Sequence, residues 1–251
     1  MSAVAPPRPD VVWHDAECGA YAADLPIWER LARERGSPVI DLGAGSGRVA
    51  LHLAARGHEV VAVDSDPALL LALRERAASR SLAVETVRAD VRDLDLGEGR
   101  FPLAIAPMQL VQLLGGPAGR ARAFSAAARC LRSDGVLALA LLEEPLPPSG
   151  RPEPLPDVRE VDGWIHSSLP LEVRVGAENV ELDRLRQIVS PAGALSEQRV
   201  TTVLDRVRPA ELARELGAAG LEPISAEPIA ASAEHVGSLL ILAEPRGACD
   251  A

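Results

Sequence analysis

The segment Val39-Ile-Asp-Leu-Gly-Ala-Gly-Ser-Gly-Arg48 constrains this chain more than any other: an apolar run that breaks into three glycines at alternate positions. Glycine accepts left-handed backbone and leaves the main chain bare. The run therefore predicts a strand turning sharply into a helix, with room for a ligand against the turn. The alternation then repeats. PVIDL at 38–42, VVAV at 60–63, Leu82–Val87, Leu103–Pro107 and Gly135–Leu142 lack polar alternation, as strands covered on both faces require. Helical stretches separate them: Arg48–Arg56 closed by Gly57, one opened by Pro67, and Pro117–Leu131. Pro209–Ala219, ended by Gly220, reads as a last helix before two strands, Leu221–Ile229 and Val236–Ala243. Strands alternating with helices predict an α/β fold, a parallel sheet layered between helices.

One stretch breaks the pattern. Prolines crowd residues 145–156, which reads as a loop. From Val161 to Val207 apolar and charged residues roughly alternate, predicting half-buried β-strands, with PAGA at 191–194 as a hairpin turn. The expected organisation is one domain over 1–251. It comprises an amino-terminal cover or lid at 1–37, a core at 38–144, a Pro-rich loop and β-rich insertion at 145–207, and the final helix and two strands at 208–245.

Charge and composition narrow the partners. The formal net charge is −10, with 36 carboxylates against 26 basic residues, all arginine. Within 151–210 carboxylates also outnumber arginines. Nucleic acid is held by a basic patch that neutralises phosphates, so a small-molecule partner is expected. Gly135–Leu142, the longest apolar run, falls far short of the roughly 20 residues that span a bilayer. MSAVAPPRPD lacks the apolar core of a secretory signal. Cys18, Cys130 and Cys249 are odd in number and far apart, which argues against a disulfide framework and for a cytoplasmic location. No His/Cys cluster has the spacing of a zinc site, and Asp66 before Pro67 reads as a helix cap, so no metal is expected.

Three acidic positions follow the strands. Asp64 ends the second, roughly 20 residues beyond the first glycine, where a carboxylate accepts ribose hydroxyls. Asp90, in Ala89-Asp90-Val91, stands where an adenine amino group can donate to it. A dinucleotide fingerprint would place its last glycine at position 48, which is Arg48, so that fingerprint fails. Asp41, just before the loop, would repel a pyrophosphate but suits an ammonium group.

Taken in order, IDLGAGSGR, VVAVDSDP, ADV and FPLAIAP resemble the class I S-adenosylmethionine-dependent methyltransferases of the small-molecule type over about Pro38–Leu142. The resemblance implies a Rossmann-like three-layer sandwich. Its seven-stranded, mostly parallel sheet would run in the order 3-2-1-4-5-7-6, the last strand antiparallel. It implies S-adenosyl-L-methionine as cofactor, with Gly43, Gly45 and Gly47 under the methionine portion and Asp41 near its ammonium. Asp64 would hold the ribose with Ser65 beside it, and Asp90 and the Val91 amide would meet the adenine. Pro107 and Met108 would border the sulfonium, while Arg48 is either a partner of the methionine carboxylate or a solvated first-turn residue.

The acceptor is less legible. Transfer needs the acceptor lone pair aimed at the methyl carbon, and some acceptors also need a base. Ala106-Pro107-Met108-Gln109 lacks the second proline and the aromatic of the base-receiving motif in DNA-modifying relatives. Trp13, Tyr21 and Trp28 concentrate the few aromatics upstream of the first strand, so residues 13–21 are the expected lid, and deleting 13–28 should spare the fold. Tyr21 is then a contact to the methionine end, and His14 or Glu17 a candidate base. Gln109, Gln112 and His166 are weaker candidates for facing the acceptor. The expected activity is methyl transfer to a small-molecule N or O acceptor. The alternatives are an inactive cofactor-binding module and an RNA or protein methyltransferase. The insertion either caps the pocket or pairs two copies as a homodimer.

Overall fold

The computed structural model describes residues 7–142, 150, 155–231 and 236–247. Most of the Pro-rich loop, the first six residues and Cys249 lie outside the described residues. Two helices come first, α1 (Pro9–Cys18) and α2 (Leu25–Arg35). There follow β1 (Val39–Leu42), α3 (Arg48–Ala54), β2 (Val60–Asp64), α4 (Pro67–Ser79), β3 (Val84–Arg88), β4 (Phe101–Ala106), α5 (Gly116–Cys130) and β5 (Leu131–Leu142). Four strands come next, β6 (Asp157–Val161), β7 (Trp164–Val175), β8 (Asn179–Val189) and β9 (Leu195–Asp205). The described chain closes with α6 (Pro209–Ala218), β10 (Leu221–Ile229) and β11 (Ser238–Pro245).

The main sheet has seven strands in the order β10-β11-β5-β4-β1-β2-β3, which is the expected order. β3, β2, β1, β4 and β5 are mutually parallel, and β11 runs antiparallel to both β5 and β10. Successive side chains on a strand face opposite sides, so each buried strand feeds two cores. Ile40, Val61, Val63, Ala104 and Leu139 pack with Phe124, Ala127, Leu212 and Leu216 of α5 and α6. On the other face, Val39, Val60, Ala62, Ile105 and Ala138 pack with Trp28, Leu31, Leu53 and Leu73 of α2, α3 and α4.

Local signals behave as expected, with shifts of a few residues. Asp66 caps α4 by accepting from the Ala68 and Leu69 amides at 2.7 and 3.3 Å, with Pro67 in the first turn. α3 ends two residues before the expected Arg56; the chain winds through a tight turn and Gly57 takes the left-handed conformation at φ 87°. β5 begins at Leu131, earlier than Gly135, because Leu131 is already extended as α5 ends (ψ 145°).

The insertion is a separate antiparallel sheet, β6-β7-β8-β9, and its β8–β9 turn spans the PAGA residues, with the Ser190 amide donating to the Ala194 carbonyl at 2.9 Å. Two polar anchors fix it to the core. At one end Arg186 donates to Glu17 of α1 through Nε and Nη2, both at 2.8 Å, and the Trp13 and His166 rings meet edge to face at 5.0 Å. At the other end the buried Arg120 of α5 donates to Asp205 of β9 at 2.8 Å and to Glu215 of α6 at 2.6 and 2.8 Å.

Over α2 the structure departs from the cover expected across residues 1–37. Trp28, Leu31 and Ala32 are fully buried in the core beneath the sheet, so α2 is a structural layer. Of the two helices, α1 brings His14 and Cys18 to the carboxyl end of β1.

Candidate functional site

The carboxyl ends of β1, β2, β3 and β4 open into one cleft, because parallel strands deliver all their following loops to the same edge. The glycine loop runs through its middle. Gly43, Gly45 and Gly47 have φ values of 65°, 55° and 98°, which L side chains rarely adopt. Each also lacks room: an added Cβ would meet Leu110 at 2.8 Å at Gly43, His14 Nε2 at 2.2 Å at Gly45, and Leu73 at 2.7 Å at Gly47. Gly47 is thus a glycine for helix packing, whereas Gly43 lines both halves of the cleft.

One half of the cleft is bounded by His14, Asp41, Gly43, Arg48, Pro107 and Met108, joined by Cys18, Gln109, Leu110 and Leu113. The other half is bounded by Gly43, Asp64, Ser65, Asp90 and Val91, joined by Arg92, Leu110 and Leu113. Most of the residues expected at a nucleoside-and-amino-acid ligand therefore meet around one groove. Gly43 and Leu110 stand at the junction of its halves. Tyr21 and Glu17 do not border the groove.

Asp41 is 1% exposed, and neither of its carboxylate oxygens has a hydrogen-bond partner among the described residues. Burial pushes its carboxyl up to about 7, against the pull of the nearby Arg48 guanidinium and of the Ala50 amide, which lies outside hydrogen-bond geometry. A buried charged group without a partner is costly, so this position calls for a cation or a proton. Arg48 does not neutralise it directly. Its guanidinium forks onto Asp24 at 2.5 and 2.7 Å, donates to the Tyr21 carbonyl at 2.8 Å and lies 5.2 Å from the Tyr21 ring centroid. Trp28 Nε1 also donates to Asp24, at 2.8 Å. Tyr21 is thereby linked to Arg48, which borders the groove.

Asp64 spans the loops. Oδ2 accepts from the Gly45 amide at 2.8 Å and Oδ1 from the Asp66 amide at 2.9 Å. Each oxygen keeps a second lone pair. Asp90 is forked by Arg92, whose Nε and Nη2 donate to its carboxylate at 2.6 to 3.0 Å. That pairing holds the carboxyl down to about 2.

The two candidate bases separate. Glu17 is bound by Arg186 and accepts from Ser168 Oγ at 2.7 Å. Burial would raise its pKa, but Arg186 and Ser168 outweigh that and bring it below the ordinary carboxylate value. Its carboxylate serves the second sheet. His14 faces the groove, and burial lowers its pKa from the usual 6.5. Gln112 is buried as a strut, donating to the Asp205 carbonyl at 2.9 Å and accepting from the Leu142 amide at 2.8 Å, while Gln109 borders the groove. His166 packs on Trp13 instead of facing the groove. Sequence reasoning missed Asp15, Asp24, Arg92 and Leu110. A spacing signal existed only for Arg92, two residues after Asp90; the others act across distant stretches of chain.

Residues 39–135 match the family described as "Methyltransferase domain". An uncharacterized methyltransferase, sll0829 of Synechocystis, is 33% identical over 121 residues, covering 48% of this chain and 54% of that protein. The chain thus spans about half the length of the curated relatives it matches. Among solved structures, the sugar N-methyltransferase KedS8 from Streptoalloteichus superposes with TM-score 0.76 at 22% identity, covering 98% of this chain and 96% of that one. S-adenosylmethionine-bound CalS10 of Micromonospora echinaspora, an amino pentose methyltransferase, gives TM-score 0.67 at 19% identity, covering 98% and 100%. With this strand order and glycine loop the chain has a Rossmann-like fold, and its residues 39–135 are similar to a methyltransferase domain.

Proposed function

We propose that this protein transfers a methyl group from S-adenosyl-L-methionine to a nitrogen or oxygen of a small molecule. The observation that carries this is the buried, unpartnered carboxylate of Asp41 at one end of a groove whose other end holds Asp64 and Asp90. An ammonium at Asp41 and a nucleoside at Asp64 and Asp90 are the two ends of one molecule. The bare backbone at Gly43 lets such a ligand pass between them. When bound, the cofactor supplies an electrophilic methyl on a sulfonium.

The chain's own residues do the rest. Asp41 receives the ammonium, and Arg48, held from behind by Tyr21 and Asp24, closes that end. Asp64 accepts the ribose hydroxyls on its remaining lone pairs. Asp90 and the Val91 amide face the base. Pro107 and Met108 border the reacting carbon, and α1 keeps water from that half of the groove. Two structural neighbours are a sugar N-methyltransferase and an amino pentose methyltransferase, which supports an amine on a small polar molecule as the acceptor. The edge of β9, which pairs with no further strand among the described residues and exposes Leu195 and Val203, supports a homodimer formed through the second sheet. A protein that sediments as a monomer at every concentration would end that part.

The test of the cofactor is thermal. S-adenosylhomocysteine and S-adenosylmethionine should raise Tm, as any ligand of the folded state does, and NAD should not. Stabilisation by NAD alone would overturn the assignment.

A further inference from the structure

We propose that His14 is locked as its Nδ1–H tautomer by Ser46 and Asp15, and that its bare Nε2 is the proton acceptor for the incoming substrate. This deepens the methyltransferase reading and rests on it for the identity of the reaction.

The lock follows from hydrogen-atom counting. Asp15 is 7% exposed and is bound by Arg76, which reaches both of its oxygens, Nη1 donating to Oδ1 at 2.9 Å. Burial alone would raise its pKa, but the bonds from Arg76 and Ser46 outweigh it, so Asp15 is ionised and only accepts. Ser46 Oγ lies 2.6 Å from Asp15 Oδ1 and must donate its one proton there. The same oxygen lies 3.1 Å from His14 Nδ1. With its hydrogen already spent, Ser46 can only accept, so Nδ1 carries the ring proton. Nε2 is then left with a lone pair and has no hydrogen-bond partner among the described residues. It stands against Gly45, and the His14 side chain borders the half of the groove that also holds Met108 and Gln109.

The surroundings favour a neutral ring that can take a proton. Burial drives the imidazole toward neutrality; Asp15 and Asp64 oppose this, while Arg48 and Arg76 reinforce it. Asp15, one hydroxyl away, then steadies the imidazolium that forms, as the carboxylate does in a Ser-His-Asp triad. In the transfer the acceptor's lone pair forms the new bond to the methyl carbon, the C–S bond pair stays on sulfur, and the acceptor's proton passes to Nε2. The imidazolium later releases it to water. His14 is the catalytic group; Ser46 and Asp15 are positioning residues.

The decisive measurement is the 15N spectrum of histidine-labelled full-length protein, with the His14 signals assigned by their loss in His14→Gln. A protonated and a bare imidazole nitrogen resonate far apart. The expected result is a protonated Nδ1 and a bare Nε2, retained with S-adenosylhomocysteine bound. Ser46→Ala should shift the ring toward the Nε2–H form. A wild-type ring protonated at Nε2 overturns the lock, whether or not any variant folds.

Two further readouts separate the base from a cofactor ligand. His14→Gln should bind S-adenosylhomocysteine within about threefold of wild type while losing on the order of 100-fold in kcat on an amino-sugar acceptor. Wild-type kcat/KM should fall as pH drops through a value below 6.5, where Nε2 gains a proton, and that limb should vanish in His14→Gln. A tenfold loss of S-adenosylhomocysteine affinity, or undiminished turnover, overturns the base. Absence of turnover on any amine, with the cofactor bound and the tautomer as expected, counts against the acceptor class and leaves the lock standing.

Discussion

A carboxylate enclosed without a partner is unstable as an anion, and Asp41 makes this measurable. Its folded-state value of about 7 lies above the ordinary 3.8, so the folded chain keeps a proton that the unfolded chain has lost. The sign is fixed: this group's contribution is whole below about pH 4 and is lost as pH rises to about 7. Asp41→Asn removes that dependence. Its Tm should exceed wild type at pH 8 by roughly 10 °C, corresponding to about 4 kcal/mol, with little difference at pH 4. The same variant should bind S-adenosylhomocysteine far more weakly. Identical Tm–pH curves for the two proteins would show that Asp41 is not strained. Asp64 behaves differently, because its carboxylate already supports the Gly45 and Asp66 amides. Asp64→Ala should therefore lose about 2 kcal/mol of stability along with ligand affinity. Asp64→Asn keeps one acceptor oxygen and should lose mostly affinity, as calorimetry and thermal melts on the same samples will tell.

At the scale of elements, α1 is a strap tied at two points along one face of the molecule. Asp15 fastens it to the glycine loop and α4 through Ser46 and Arg76, and Glu17 fastens it to the second sheet through Arg186 and Ser168. Both carboxyls titrate below their ordinary values of 3.8 and 4.5. Burial opposes that lowering, and the arginine pairs outweigh it. Each therefore contributes stability that is present above those values and is lost as pH falls through the lower folded-state values. Glu17→Ala leaves Arg186 half-buried without its fork, at a cost of about 1–3 kcal/mol. Ligand affinity should change little, since Glu17 does not border the groove. A Glu17→Ala protein with wild-type Tm but no methyl transfer would restore Glu17 as a base.

Across the whole molecule, what was legible in the sequence was periodic or local. Apolar runs marked the buried strands, three glycines and the acidic ends of β1 and β2 marked the groove, and alternation marked the second sheet. What was not legible depends on contacts between distant segments. Nothing near Glu17 announces Arg186, nothing near Arg48 announces Asp24, and the fate of Trp28 is set by a sheet that forms after it in the chain. That last point runs against the expectation that the fold survives deletion of residues 13–28, and two truncations test it. Removing residues 1–36 takes Trp28 and Leu31 out of one core and strips Arg48, only 9% exposed at its side chain, of Asp24. A buried Trp is worth about 3–5 kcal/mol on its own, and breaking a buried ion pair costs about as much again. Together these rival the total stability of a typical domain, so this protein should fail to fold cooperatively. Removing residues 1–19 cuts before Tyr21 and spares Asp24, Trp28 and all seven strands of the main sheet. It takes away Trp13, His14, Asp15 and Glu17. This shorter deletion should melt cooperatively at a lower Tm and bind S-adenosylhomocysteine more weakly than wild type. If the 1–36 deletion instead melts cooperatively near the wild-type temperature, α2 is a cover after all and the core does not depend on it.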